Sequence, residues 1–250
     1  MIPKTIHYCW FGRNPLPEKA IKCINSWRKF FPDYEIKEWN EDNFDVNGIL
    51  YTAEAYQACK YAFVSDYARF WILYHYGGVY FDTDVEVIRP MDDIILRGPF
   101  LGMENVWTYP NVAPGLGMAA EAGHRIYKQA IDCYSRMHFS FENGIVTHES
   151  IVPLTTRLLK EAGMQPNGDL QQVDGIWIYP CDFFNPFDDL TGKLNITDNT
   201  YTIHWYTASW RKQNDLIRWI KRFFHRLVGD RMHIIHRIKN QLISKLKFSI

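Results

Sequence analysis

Two aspartates stand directly after a short apolar run in the first half of the chain. The apolar residues 79–81, preceded by two glycines, run straight into Asp82-Thr83-Asp84. An apolar run bounded in this way predicts a buried strand. Side chains two residues apart in an extended chain point to the same face, so both carboxylates are expected to lie side by side. Neighbouring carboxylates repel each other, and a cation between them removes the repulsion.

The ligand chemistry of this pair indicates which cation to expect. Mg²⁺ and Mn²⁺ prefer oxygen ligands and are commonly held by one or two carboxylates together with the phosphates of a substrate. A bare Asp-x-Asp is weak evidence, because a solvated turn after a strand has the same sequence. The surroundings of Asp82 and Asp84 therefore have to decide between a metal site and a turn.

A second charged pair lies upstream in a segment that is otherwise apolar. Asp66 and Arg69 are three residues apart, a spacing that places them on one face of a helix. The pair is either an ordinary ion pair within a helix or a carboxylate and a guanidinium presented to one ligand. Its apolar flanks favour the second interpretation, and the guanidinium suits phosphate and sugar oxygens.

The order of the other patterns predicts an α/β protein. A second helix is expected at 52–76, ended by the two glycines, and the chain is extended at 85–88. Residues 98–117 are rich in glycine and proline and are expected to form a loop. The opening has a strand at 2–10, a helix at 18–31 and a strand at 34–39, which is typical of parallel pairing. Further helices are expected at 122–139 and 150–162, and strands at 176–179 and 200–206.

Charge divides the chain into two parts. The whole sequence has 28 Lys and Arg against 28 Asp and Glu, so overall charge gives no reason to expect a nucleic-acid partner. Residues 212–250 nevertheless hold ten Lys or Arg and two Asp, a net charge of +8. Apolar residues recur in this tail at helical spacing, which predicts either a basic amphipathic helix on a membrane surface or a helical pair packed on the domain. We therefore expect one domain at 1–211 and a helical extension at 212–250.

Cysteine usage and the chain start bear on location. The five cysteines form no Cys-x-x-Cys pair, which disfavours zinc and disulfide frameworks and favours reduced thiols. No basic-then-apolar leader and no apolar stretch long enough to cross a membrane is evident. The sequence predicts a cytoplasmic protein, with the tail as a peripheral contact to the inner face of the plasma membrane.

Three blocks of sequence resemble glycosyltransferase family 32, whose members contain an Asp-x-Asp motif. They are IPKTIHYCWFGRNPLP at 2–17, YAFVSDYARFWILYHYGGVYFDTDVEVIRP at 61–90 and YTIHWYTASW at 201–210. The family includes bacterial capsular-polysaccharide transferases and yeast initiating mannosyltransferases, and clostridial toxin glucosyltransferases are more distant relatives. The resemblance covers about residues 1–211. It implies a GT-A fold, an α/β nucleotide-sugar transferase fold with a mixed, mainly parallel sheet.

The resemblance also implies a donor site. Trp10 would stack on the base of a nucleotide-diphosphate sugar, with a UDP-sugar as first choice. Asp66 and Arg69 would contact the donor sugar and phosphate, and Tyr80 would lie near the ribose or the sugar. Stacking of a base on an aromatic ring contributes about 1–3 kcal/mol in nucleic-acid complexes. For Trp10 and Tyr80, burial in the core is the alternative.

The metal is expected to be Mn²⁺ or Mg²⁺. By resemblance Asp84 binds it directly, while Asp82 contacts the ribose and reaches the metal through water. His204 could complete the metal shell or contact the diphosphate. Ser209 and Trp210 would close over the phosphates and complete the donor site.

The resemblance implies a retaining reaction, with Asp82, Asp84 and Arg69 as the catalytic set. The acceptor would be a saccharide, free or lipid-linked, in the synthesis of a surface polysaccharide. The stretch around His148 and Glu149 departs from the family pattern, so both are only candidates for the acceptor side.

Two other functions are open from the sequence. Aspartate-nucleophile phosphohydrolases also place Asp-x-Asp after a strand, although here the next alternate position is Glu86 and no glycine-rich phosphate loop follows. A sugar-nucleotide binding module without catalysis is the other alternative.

Overall fold

The computed structural model describes residues 1–104, 110–142, 145–146 and 148–207. The helices are α1 Glu18–Phe30, α2 Leu50–Gln57, α3 Tyr61–Tyr76, α4 Asp92–Arg97, α5 Arg125–Tyr134, α6 Ile151–Glu161 and α7 Cys181–Phe184. The strands are β1 Thr5–Cys9, β2 Glu35–Trp39, β3 Gly78–Tyr80, β4 Val85–Val87, β5 Phe100–Glu104, β6 Asn111–Val112, β7 Met118–Ala120, β8 Phe141–Glu142, β9 Ile145–Val146, β10 Gln171–Val173, β11 Ile176–Tyr179, β12 Phe187–Asp188, β13 Lys193–Leu194 and β14 Thr202–His204.

A mixed β-sheet forms the centre of the protein. Its strands lie in the order β10-β11-β5-β7-β3-β1-β2, with β6 paired to β5. Pairing is parallel in β1–β2, β1–β3 and β5–β11. It is antiparallel where β7 lies between β3 and β5 and where β10 meets β11. The predicted α/β fold with a mixed sheet is confirmed.

Helices cover both faces of this sheet because the strands are apolar on both sides. Tyr80 packs into one hydrophobic cluster, together with apolar residues of α3, α5 and α6. Its neighbours Val79 and Phe81 pack into the other cluster, with residues of α1, α4 and α7. Strand β3 is therefore buried on both faces, as strands between two helical layers are. The chain that follows β3 leaves the sheet at the carboxyl end of that strand.

The predicted strand–helix–strand opening is confirmed. β1 and β2 pair in parallel from Thr5 opposite Glu35 to Cys9 opposite Trp39, and α1 connects them. The buried face of α1 contains Trp27, whose indole nitrogen donates to the carbonyl oxygen of Val85 at 2.8 Å. This bond attaches α1 to the start of β4, close to the Asp-x-Asp segment.

The single helix predicted at 52–76 is wrong, because the chain forms α2 and α3 with a break between them. Cys59 has a φ of 55° in the break, a backbone conformation that ends a helix and is uncommon for residues with a side chain. No proline or glycine marks this break in the sequence. The end of the helix is as predicted: α3 stops at Gly77, whose φ is 65°.

Two further predictions need correction. Residues 98–117 are not a loop, because β5 and β6 lie within them. The glycine in β5 reflects close packing rather than a turn, since a Cβ at Gly102 would lie 2.7 Å from the ring of Phe184. The helix predicted at 122–139 is shorter, spanning Arg125–Tyr134, and the side chain of His124 accepts from the backbone of Ile126 at its start.

The predicted tail at 212–250 and the domain boundary at 211 lie outside the described residues. Within the described part of the chain, no helix is long and apolar enough to cross a membrane.

Candidate functional site

Five segments of the chain meet at a cleft of about 760 Å³ beside the ends of β1 and β3. They are the loop after β1, the first half of α3, the turn after β3, the hairpin of β12 and β13 through Asp189, and the segment at the end of β14. Carboxyl ends of neighbouring parallel strands lie at one edge of a sheet, where ligands bind in open α/β sheets. The cleft is lined by six residues that the sequence singled out: Trp10, Asp66, Arg69, Asp82, Asp84 and His204.

Asp82 and Asp84 reach this cleft from a turn. The prediction that they lie in extended chain is wrong, because β3 ends at Tyr80 and a turn covers Thr83 and Asp84. The backbone nitrogen of Val85 donates to the carbonyl oxygen of Asp82 at 3.0 Å across the turn. Both carboxylates nevertheless face the same space, so the turn produces the arrangement that strand alternation was expected to give.

Arg69 holds two of the carboxylates. Its Nη2 lies 3.0 Å from Asp66 and 3.1 Å from Asp82, and its Nη1 donates to the other oxygen of Asp82 at 3.2 Å. Its Nε donates to the backbone oxygen of Ser65 at 3.0 Å. Because the Arg69 side chain is only 4% exposed, these contacts are shielded from water and strongly orient the two acids.

Asp84 belongs to a second set of contacts, made with the segment around β14. One of its oxygens lies 3.0 Å from Nε2 of His204. The other accepts from the backbone nitrogen and the hydroxyl of Thr207, at 2.8 and 3.1 Å. The two aspartates are thus fixed by different parts of the chain, Asp82 by α3 and Asp84 by residues that follow it by 120 positions or more.

Burial and charge shift the protonation of these acids in opposite directions. Burial raises the pKa of Asp66 to about 7, against the lowering effect of Arg69. Burial alone would also raise the pKa of Asp84, but His204 and the bonds from Thr207 outweigh it and hold that pKa well below its usual range. Asp84 is therefore ionised at neutral pH, as a metal ligand must be.

Three side chains in the cleft have the chemistry and spacing of ligands for a divalent cation. Asp82, Asp84 and His204 each offer a ligand atom within 4.8 Å of the others, the one group of three with such spacing in the described part of the chain. Arg69 contacts two of the three aspartates, Asp66 and Asp82, whereas Asp84 contacts His204. The buried Nδ1 of His204 also has no partner among the described residues. Carboxylate oxygens with one imidazole suit Mn²⁺ and, through the oxygens, Mg²⁺.

Two of the aromatic residues predicted at the donor site lie in the described part of the chain, and their surroundings differ. Trp10 is half-buried on the wall of the cleft, and its indole nitrogen donates to the backbone oxygen of Asn14 at 2.6 Å. Tyr80 is only 1% exposed and lies behind Asp82, to which its hydroxyl donates at 3.1 Å. The guanidinium of Arg69 lies 4.9 Å above the ring of Tyr80. Tyr80 therefore supports Asp82 and Arg69 from below the cleft surface.

Sequence reasoning missed Gly115. A Cβ at this position would collide with an oxygen of Asp82 and lie 3.3 Å from Nη1 of Arg69. The backbone around Gly115 thus forms the back wall of the Arg69–Asp82 contact. Thr207 was missed as well, since nothing in the local sequence connects it to Asp84.

The remaining predicted residues either lie outside the described part of the chain or are absent from the lining of the cleft. Ser209 and Trp210 lie outside the described residues. His148 packs its ring against the rings of Tyr51 and Phe139, and burial lowers the pKa of His148. Glu149 is paired with Arg157 at 2.8 Å, so its charge is used in a surface ion pair.

Residues 17–101 match a family described as the glycosyltransferase sugar-binding region containing DXD motif. Asp66, Arg69, Asp82 and Asp84 lie within the match, while Trp10 and His204 lie outside it.

Relatives were found in fission yeast and in a virus. The chain is 28% identical over 158 residues to inositol phosphoceramide mannosyltransferase 1 of Schizosaccharomyces pombe, covering 56% of this chain and 45% of that protein. It is 34% identical over 150 residues to inositol phosphoceramide mannosyltransferase 3 of the same organism, covering 58% of this chain and 41% of that protein. The chain thus spans less than half the length of these two relatives. An uncharacterised glycosyltransferase of Acanthamoeba polyphaga mimivirus is 25% identical over 228 residues, 84% of both chains.

Among solved structures, a glycosyltransferase involved in glycosylation of the major capsid of PBCV-1 is similar with a TM-score of 0.48 and 12% identity, covering 82% of this chain and 95% of that chain. The glycosyltransferase PaToxG is similar with a TM-score of 0.48 and 19% identity, covering 64% of this chain and 69% of that chain.

Proposed function

Because residues 17–101 of this chain match the DXD-containing sugar-binding region of glycosyltransferases, we propose that the protein is a metal-dependent transferase of nucleotide-diphosphate sugars. It moves a hexose or an N-acetylhexosamine to a saccharide acceptor. One observation carries the proposal: Asp82, Asp84 and His204 converge with metal-ligand spacing on the cleft that also contains Arg69. Such a site suits a ligand that brings two phosphates and a sugar together.

The cleft supports a placement for the donor. Trp10, on the outer wall beside Asn14 and Pro15, offers an aromatic face to the base. Arg69 lies deeper, where its charge stabilises a diphosphate and its bonds keep Asp66 and Asp82 in fixed orientations. Asp66 and Asp82 accept hydrogen bonds from hydroxyl groups of the sugar and ribose. We extend the donor site to Ser209 and Trp210 on the resemblance of their sequence block alone.

Asp84, Asp82 and His204 are the residues that would hold Mn²⁺ or Mg²⁺. When bound, the cation supplies positive charge that stabilises the departing nucleoside diphosphate. Arg69 contributes a second, fixed positive charge at the same place, and such preorganised charge is worth more in a shielded site than in water. We propose net retention of anomeric configuration, in which the acceptor oxygen attacks from the leaving-group side and its proton passes to the departing phosphate.

We propose the donor and the acceptor by chemical class. A UDP-sugar is our first choice of donor. The fission-yeast relatives are named as mannosyltransferases of inositol phosphoceramide, so we propose GDP-mannose as the second candidate donor and a lipid-linked saccharide as the acceptor. We propose that the product belongs to a surface polysaccharide.

We propose a cytoplasmic location with peripheral membrane contact. The support is the net charge of +8 in residues 212–250, since basic residues are attracted to anionic lipids. Sedimentation with phosphatidylglycerol vesicles should pull down the full chain and not a variant ending at Trp210. Equal binding of both chains would contradict the proposal.

The decisive experiment is a donor screen. UDP-galactose, UDP-glucose, UDP-N-acetylglucosamine and GDP-mannose are each incubated with the full chain, with and without Mn²⁺, and release of nucleoside diphosphate is followed by chromatography. We expect metal-dependent turnover of one of them, and loss of at least about 100-fold in Asp84→Asn. Asp33→Asn is the matched control, because Asp33 is exposed in the turn after α1.

The same preparation separates the alternatives. Hydrolysis of an aryl phosphate with no turnover of any nucleotide sugar would indicate the phosphohydrolase. Metal-dependent donor binding with no turnover, even with acceptor sugars present, would indicate a binding module. Proton NMR of the anomeric coupling in the product tests retention.

A further inference from the structure

A second cavity adjoins the cleft. It has a volume of about 330 Å³ and is formed by the end of β5, by α7 and by the hairpin of β12 and β13. Asp189 and Tyr206 line both the cleft and this cavity. A group bound in the cavity therefore lies next to the proposed donor, with these two residues at the junction. The volume is at the lower end for ligand sites, enough for a terminal part of a larger molecule.

Tyr206 is held in place at the junction of the two spaces. Its φ is 48°, a left-handed conformation that residues with side chains rarely adopt unless their surroundings impose it. Its ring packs edge-on against the ring of His204, with centroids 4.1 Å apart. Its hydroxyl accepts from the amide of Asn185 at 2.6 Å and bonds to Glu104. Tyr206 therefore links His204, in the proposed metal site, to Asn185 and Glu104, which line the second cavity.

The outer rim of the cavity is also fixed. The carboxylate of Asp188 accepts from the backbone nitrogens of Leu190 and Thr191, at 2.9 and 3.3 Å, and from the Thr191 hydroxyl at 2.5 Å. Asp182 accepts from the amide of Asn199 at 2.9 Å. The first three bonds order the turn of the hairpin, and the last attaches α7 to the segment between β13 and β14, so the walls of the cavity are ordered without a ligand.

The chemistry of the lining indicates an uncharged polyhydroxyl ligand. Four carboxylates line the cavity, against the single ammonium group of Lys193. An anionic ligand would be repelled. In the described part of the chain these acids form no group with metal-ligand spacing. Carboxylates have about four acceptor sites each, so those already bonded can still accept from sugar hydroxyls, and the rings of Phe187 and Tyr206 offer apolar faces.

We infer that this second cavity is the acceptor subsite, that it takes the terminal sugar of an uncharged saccharide, and that Asp189 contacts that sugar at the junction with the donor. The inference rests on the proposed function. In the transfer, a bond forms between an acceptor hydroxyl oxygen and the anomeric carbon of the donor. The bond from that carbon to the diphosphate breaks, and the hydroxyl proton leaves with the diphosphate.

The test uses an array of immobilised neutral oligosaccharides, with sialylated oligosaccharides and a lysine-rich peptide as competing ligand classes. The full chain should bind neutral sugars and neither of the other two. Asn195→Trp adds bulk on the rim of the cavity and should abolish that binding. Asn47→Trp, on an exposed loop before α2, should leave it intact. Asp189→Asn is a milder variant that preserves size and should weaken binding by about tenfold.

The outcomes separate this inference from the proposed function. Binding of neutral sugars that survives both Asn195→Trp and Asp189→Asn places the acceptor elsewhere and overturns the inference. So does binding of the basic peptide in preference to sugars, or binding of nothing on the array. Failure of the donor screen, by contrast, overturns the proposed function while sugar binding at the cavity can still be measured. Circular dichroism of each variant verifies that it is folded.

Discussion

The guanidinium of Arg69 contacts both carboxylate oxygens of Asp82, with Nη1 and Nη2 at 3.2 and 3.1 Å. The same guanidinium holds Asp66, and the hydroxyl of Tyr80 also donates to Asp82. The first aspartate of the Asp-x-Asp turn is therefore fixed by α3 and β3 before any ligand enters. One of its oxygens and the ligand atoms of Asp84 and His204 lie within 4.8 Å of one another, which is the physical reason to expect a cation.

Arg69→Lys should separate charge from geometry. Lysine keeps the positive charge but cannot form the two-point contact. We expect it to lower the free energy of unfolding by about 1–3 kcal/mol and to raise the dissociation constant for the donor. Urea denaturation and calorimetry measure the two effects. Arg157→Lys is the control, because Arg157 also contacts two acids but is 42% exposed, and exposed pairs contribute about 1 kcal/mol or less. Equal effects at both positions would contradict the account.

Gly115→Ala should damage the site without touching any charged group. Its added methyl would collide with Asp82, and overpacking of this kind costs about 1–3 kcal/mol. Because the displaced group is the proposed donor contact, we also expect at least about tenfold weaker donor binding. Gly48→Ala is the matched control, on an exposed turn where the new Cβ meets the Asp45 carbonyl oxygen at 3.3 Å. Donor affinity unchanged in Gly115→Ala would show that Asp82 need not keep its place.

His7 should make stability depend on pH. Its Nδ1 accepts from the indole of Trp39 at 3.0 Å, and its Nε2 lies 3.0 Å from the carbonyl oxygen of Gly77. Burial lowers the pKa of His7 from 6.5 to about 4. Between these two values the unfolded chain binds a proton that the folded chain does not, so stability falls as pH drops from about 6.5 to about 4 and then levels off.

The full effect is on the order of 3 kcal/mol. His7→Gln should show a smaller loss of stability between pH 7 and pH 4.5 than the wild type, measured by urea denaturation. His75→Gln, at an exposed position on the same side of α3 as Trp71, should behave as the wild type does. An identical pH dependence in His7→Gln would mean that the buried imidazole is not the cause.

Local sequence patterns anticipated much of the fold and part of the site. The strand–helix–strand opening, the end of α3 at two glycines and the shared face of Asp66 and Arg69 all follow from residue spacing and from the φ values that glycine allows. These features depend on contacts between near neighbours in the chain, which is why they can be predicted from sequence.

The rest depends on long-range contacts. Thr207 bonds to Asp84 across 123 positions, and Gly115 supports Asp82 from a segment that was predicted to be loop. The break at Cys59 has a positive φ without a glycine, so no local signal marks it. The position of Tyr206 at the junction of the cleft and the second cavity likewise depends on the packing of α7 and β5, which no spacing in the sequence reveals.

The most direct test of the central claim is a titration of Mn²⁺ followed by electron paramagnetic resonance, in which free Mn²⁺ gives the signal and bound Mn²⁺ loses it. With the wild-type chain and the donor selected by the screen, we expect the signal to be quenched at one ion per chain. Asp84→Asn should leave it close to that of free Mn²⁺, while Asp33→Asn should quench as the wild type does. Equal quenching in the wild type and in Asp84→Asn, or none in either, would contradict a cation held between Asp82, Asp84 and His204.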